Sequence, residues 1–141
     1  MNDTSDAMRE LYQAIILDHN KHPRHYGVLA DYSEKLEGYN PLCGDKIVFY
    51  VRREGGRIKA ASFECAACAI CKASASILLE QAMSEGFNHY QSLHNQALVL
   101  LDPAEPLQFD TGNDLNALAG VRAFPARLKC AKLAWETLMP N

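Results

Sequence analysis

The sequence has no long hydrophobic run. Nowhere does an apolar stretch approach the roughly 18 residues that a membrane-spanning helix needs. The opening residues, MNDTSDAMRE, lack a basic segment followed by an apolar one, so neither a membrane partner nor a secretion signal is expected. A basic excess is missing too: 14 Lys and Arg stand against 17 Asp and Glu, a formal net charge of −3. A phosphate-neutralising surface usually shows as a strong basic surplus, so nucleic acid is not an expected partner. Tryptophan is scarce, with one residue, Trp135, which reads as core packing rather than as a substrate platform. The cysteines are five, an odd number without a secretion signal, which argues against a disulfide framework and for reduced thiols in the cytoplasm.

What is present is an ordinary globular balance, 48% hydrophobic and 22% charged, over 141 residues, enough for one domain spanning 1–141. Residues 5–19 place Met8, Leu11, Tyr12, Ile15 and Ile16 at helical intervals, with Ser5 or Asp6 as N-cap, and Pro23 and Gly27 follow as breakers. The β-branched and aromatic stretches 46–52 and 57–64, joined by the turn EGG, predict an antiparallel hairpin, with a third strand near 34–39. A helix is expected over 69–85 with Gly86 just past its end, another over 88–100, and a connecting segment over 101–114. Pro125 then introduces a last helix, ARLKCAKLAWETLM, burying Leu128, Leu133, Ala134, Trp135 and Leu138. These elements make an α+β fold, a small antiparallel three-stranded sheet packed against several helices.

Three cysteines sit where the backbone favours thiolates. Cys43 lies in the turn NPLCGD with Asp45 two residues on, Cys68 falls at a predicted helix N-terminus, and Cys130 is flanked by Lys129, Lys132 and Arg127. Together with Asp45 they supply three sulfurs and one oxygen, a set that suits tetrahedral Zn²⁺, although spacing alone leaves their convergence open. The stretch ECAACAIC adds Cys65 and Cys71 at even intervals around Cys68. A ferredoxin-like run would need a fourth Cys followed by Pro, which is absent, and three steps of three residues rotate the sulfurs apart on a helix. His19, His22 and His25 form another even series, but Pro23 interrupts any helix that would align them, so a solvated helix end and loop are expected. Ser74 and Ser76 read as packing residues on an alanine-rich helix, with no base placed beside them.

The blocks LYQAIILDHNKHPRHYG, NPLCGD, ACAICKASASILLE and GVRAFPARLKCAKLAWETL resemble, in order and over nearly the whole chain, the family of NifU N-terminal domains, IscU and SufU, proteins of iron–sulfur cluster assembly. The long interval from Cys68 to Cys130, with extra residues within 86–113, is most similar to SufU. So is Lys129, which stands where IscU-type proteins carry a histidine and is a poor ligand while protonated. The proline-rich segment through which IscU meets its chaperone is reduced here to AFPARLK.

The resemblance implies a zinc site of Cys43, Asp45, Cys68 and Cys130, with Cys43 accepting persulfide sulfur from a SufS-like cysteine desulfurase. A desulfurase histidine would take the place of Cys43 on zinc, freeing the thiolate to attack. The sulfur would pass on to a downstream iron–sulfur scaffold or to apo-proteins. The alternative is an IscU-like scaffold that holds iron or an iron–sulfur cluster at the same residues. Arg127, three residues before Cys130, and Lys129 would steady the charge of the site. Cys65 and Cys71 depart from the SufU pattern; they are expected to be buried small hydrophobes, or else accessory thiols that relay or store sulfur near Cys68.

Overall fold

A computed structural model describes residues 3–106 and 113–138. The elements run α1 (Asp3–Lys21), β1 (Glu34–Asn40), β2 (Asp45–Glu54), β3 (Arg57–Ala66), α2 (Ala69–Glu85), α3 (Tyr90–Leu101) and α4 (Leu128–Thr137). Short 3-10 helices at Phe87–His89, Asp114–Ala123 and Pro125–Arg127 lie between them. The three strands form one antiparallel sheet in the order β1-β2-β3. Between β2 and β3, Gly55 and Gly56 both take positive φ, which a two-residue turn matched to the strand twist requires and side chains resist.

Period-two alternation turns Ile47, Phe49 and Val51 of β2 and Ala61 and Phe63 of β3 onto one buried face, and a register shift between Arg52 and Arg53 breaks the alternation where Ile58 is also buried. Phe49 and Phe63 are directly paired across the strands, with rings 6.2 Å apart. Against this face lies α2, buried on nearly every side because Ala73, Ala75 and Ala82 let its neighbours approach. It packs against α1 on one flank and α4 on the other. Trp135 is fully buried as expected: it stacks on Tyr90, and its indole N–H donates to Ser74 Oγ at 3.1 Å. Ser74 in turn donates to the Ala131 carbonyl, so it fixes α2 against α4 by hydrogen bonds as well as by its small size.

Some boundaries differ from expectation for local reasons. Helix α1 starts at Asp3, which puts Ser5 and Asp6 inside it rather than at its cap. Leu11 faces solvent at 45% exposure, whereas Tyr12 is buried and Met8, Ile15 and Ile16 are half-buried. The stretch 88–100 opens as a 3-10 turn, and α3 begins only at Tyr90. Pro125 heads a 3-10 turn of its own, with α4 starting at Leu128, and Leu128 and Leu133 are half-buried rather than buried. The Asp114–Ala123 helix has no counterpart in the sequence reading. Asn113 caps it by accepting from the Leu115 N–H at 2.8 Å. Of the connecting segment, 107–112 lies outside the described residues. No helix among the described residues is long and apolar enough to cross a membrane.

Candidate metal centre

The turn Pro41–Gly44 joins β1 to β2 and presents Cys43 to solvent. Asn40 shapes it twice: its side-chain oxygen accepts the Leu42 N–H at 3.2 Å and its carbonyl accepts the Gly44 N–H at 2.8 Å. Gly44 reverses the chain with φ +73°, and Asp45, the first residue of β2, enters the interior at 1% exposure.

Across from this turn, Cys68 is the N-cap of α2. Its sulfur accepts the Cys71 N–H at 3.5 Å, and its own N–H donates to Asp45 Oδ1 at 3.0 Å. Cys130 lies in the first turn of α4, fully buried, with its sulfur 3.4 Å from Cys43 Sγ. Ligand atoms of Cys43, Asp45 and Cys130 all fall within 4.8 Å of one another. Cys68 stands just outside that trio but close enough to Cys130 to interact with its thiol by hydrogen bond and charge.

The electrostatics are those of a place for a cation. Burial pushes the Cys130 thiol up, and the neighbouring Asp45, Cys43 and Cys68 push it further. Asp45 Oδ2 is buried with no hydrogen-bond partner, a costly state for a carboxylate oxygen unless something positive faces it. Three sulfurs and one carboxylate oxygen are donors that Zn²⁺ accepts in tetrahedral geometry, so the residues fit such an ion.

The flanking basic residues divide differently from expectation. A hydrogen bond to the Cys130 thiol, then the charges of Cys68 and Cys130, raise the Arg127 guanidinium above its ordinary range, so Arg127 is the cation beside the sulfurs. Lys129 and Lys132 are not among the largest influences on Cys130, and Lys129 is exposed. The expected lowering of Cys130 by flanking lysines is thus overturned by its burial on the inner side of α4. Cys65, half-buried on β3, and Cys71, fully buried in α2, are both pushed up by burial first.

The histidine series does not act together. His22 and His25 are exposed, as expected, but His19 is fully buried. Its Nδ1 lies 2.7 Å from Ser76 Oγ and its Nε2 2.8 Å from Asp114 Oδ2. The solvated helix end expected there is therefore wrong for His19, and Ser76, expected to have no base nearby, has one. Nothing local in the sequence signals this group, since Asp114 comes from a segment without an assigned element. A surface groove lined by Arg57, Lys59, Met83 and Phe87 among others lies at the far ends of β3 and α2 from the cysteines and takes no part in the site.

Comparison with known proteins gives a consistent picture. The family model described as NifU-like N terminal domain matches residues 11–136. The zinc-dependent sulfurtransferase SufU of Bacillus subtilis (strain 168) is 36% identical over 131 residues, covering 91% of this chain and 86% of that protein. The iron–sulfur cluster assembly scaffold protein IscU of Thermotoga maritima is 35% identical over 134 residues, covering 94% and 92%. Among solved structures, a candidate iron–sulfur cluster assembly scaffold for the SUF system of Fervidobacterium islandicum AW-1 superposes with a TM-score of 0.65. It is 28% identical and covers 87% of this chain and 90% of its own.

Proposed function

The chain belongs to the family of NifU-like N-terminal domains, and on that premise we propose that it is an iron–sulfur cluster assembly protein of SufU type, a zinc-dependent acceptor of persulfide sulfur from a cysteine desulfurase. We take residues 1–141 as one such domain, working in the cytoplasm where its thiols stay reduced. The observation that carries the reading is the approach of Cys43, Asp45 and Cys130 with the Asp45 Oδ2 atom left unpaired.

Cys43, Asp45, Cys68 and Cys130 would hold the zinc ion. When bound, it keeps the sulfurs as thiolates and supplies the positive charge that their crowding calls for. Cys43 is the acceptor because it is the exposed sulfur of the set, on a turn that a partner can reach, while Cys130 is sealed inside. Its thiolate attacks the terminal sulfur of the desulfurase persulfide. A new S–S bond forms on Cys43 as the donor's S–S bond breaks, and the donor cysteine leaves as a thiolate. Arg127 balances the anionic charge that stays at the site. The persulfide then passes to a downstream scaffold or apo-protein.

A second reading, a scaffold that builds an iron–sulfur cluster on the same residues, draws on the 35% identity with an IscU scaffold protein. Anaerobic purification separates the two. One zinc per chain, with stimulation of a SufS-like desulfurase abolished in Cys43→Ala and reduced in Arg127→Ala, supports sulfur acceptance. A reconstituted cluster that passes to apo-ferredoxin, with no desulfurase stimulation, supports the scaffold.

A further inference from the structure

A second cluster of metal-ligating groups lies away from the cysteines, where α1, α2 and the Asp114–Ala123 helix meet. His19 Nε2 is 2.8 Å from Asp114 Oδ2 and 3.7 Å from Glu80 Oε1. The three ligand atoms all fall within 4.8 Å of one another. We propose that His19, Glu80 and Asp114 form a binding site for a divalent first-row transition-metal cation, separate from the cysteine centre. Glu80 is more than three helical turns from Cys68, about 18 Å along α2 at 1.5 Å per residue.

Four features support the assignment. Bonds of about 2.0–2.1 Å to a tetrahedral ion put neighbouring ligand atoms about 3.3 Å apart, and the two separations from His19 Nε2 bracket that value, so small shifts suffice. The imidazole is held from behind: Ser76 Oγ sits 2.7 Å from Nδ1 and also accepts the Arg24 N–H at 2.8 Å. A hydroxyl oxygen has two lone pairs, so it can accept a hydrogen bond from an Nδ1–H as well and leave Nε2 free to coordinate. Glu80 is aimed in the same way, because Arg24 Nε binds Oε2 at 3.2 Å and leaves Oε1 toward the histidine.

Charge is the fourth. Arg24 pairs with Asp18 and Glu80 while Asp114 contacts the imidazole, so three carboxylates stand around one guanidinium and leave a negative surplus beside the ring. The ring is fully buried, while the Glu80 and Asp114 side chains are 35% and 38% exposed, so the cluster opens to solvent on its carboxylate side. A donor set of nitrogen and oxygen alone suits Fe²⁺, Mn²⁺ or Zn²⁺ and does not need the sulfurs on which the cysteine centre is built.

The test is a Co²⁺ titration of the full chain already carrying one equivalent of zinc, followed by optical absorption and metal analysis under anaerobic conditions. The expected result is a second equivalent whose ligand-field bands appear without added sulfur-to-metal charge-transfer absorption. Glu80→Gln and Asp114→Asn, both at half-exposed positions, should each weaken it at least about tenfold while the first equivalent stays in place. Absence of a second equivalent, or one that survives unchanged in both ligand variants, overturns the proposal. Failure of zinc to load the cysteine centre would show separately, as cobalt uptake with sulfur bands.

Discussion

The backbone N–H of Cys68 donates to Asp45 Oδ1 at 3.0 Å, tying the start of α2 to the start of β2. One oxygen of this carboxylate is committed to the backbone, and the other, Oδ2, is buried and unpaired. Asp45→Asn keeps an acceptor for Cys68 but removes the anionic donor. Zinc affinity should fall about 10–100-fold, measured by competition with a chromophoric chelator, while circular dichroism stays as in wild type. Unchanged affinity would remove Asp45 from the ligand set.

Gly38 on β1 lies against Thr137 on α4 so closely that a Cβ would overlap Thr137 Oγ1. That hydroxyl is fixed by donating to the Leu133 carbonyl at 2.7 Å, so it cannot easily turn aside. Gly38→Ala should therefore push α4 off the sheet and cost about 1–3 kcal/mol in urea unfolding. Because Cys130 rides on the same helix, metal retention should drop as well. A wild-type unfolding midpoint would mean that α4 is not held this tightly.

Much of this architecture was legible from local pattern. The hairpin was readable because EGG separates two β-branched runs, and α2 because an alanine-rich run is bounded by Cys68 and Gly86. The cysteine centre was readable only as a list of donors, since nothing local says that Cys43 and Cys130 come within 3.4 Å. Where the reading failed, tertiary packing decided. Cys130 flanked by lysines looks activated in sequence, yet its side of α4 faces inward and burial dominates. His19 looked like a solvated helix end until Asp114 and Ser76, distant in the chain, closed over it.

Stability should depend on Tyr90 at high pH. Burial raises its phenol well above the ordinary range, and its O–H donates to the Trp135 carbonyl at 2.7 Å. An unfolded tyrosine titrates near about 10. Above that the unfolded chain loses the proton first, so this contribution to stability is complete below about pH 10 and falls as pH rises, by up to about 1.4 kcal/mol per unit. Urea midpoints between pH 9 and 11 should decline less steeply in Tyr90→Phe than in wild type; equal slopes would contradict the assignment.

Cys65 and Cys71 should be dispensable for sulfur acceptance. Burial keeps both protonated, and Cys71 is fully enclosed in the core. A Cys65→Ser, Cys71→Ser double variant should be less stable but should accept persulfide at the wild-type rate once folded. A folded double variant that accepts sulfur more slowly would make one of them a relay.

The destination of the transferred sulfur is the most direct measure of the role of Cys43. The protein is mixed with a cysteine desulfurase and cysteine, quenched, and its persulfide mapped by mass spectrometry. The adduct should appear on Cys43, vanish in Cys43→Ala together with the stimulation of desulfurase turnover, and never build up first on Cys68 or Cys130. A persulfide on another cysteine with Cys43 unmodified, or full stimulation by Cys43→Ala, would contradict it.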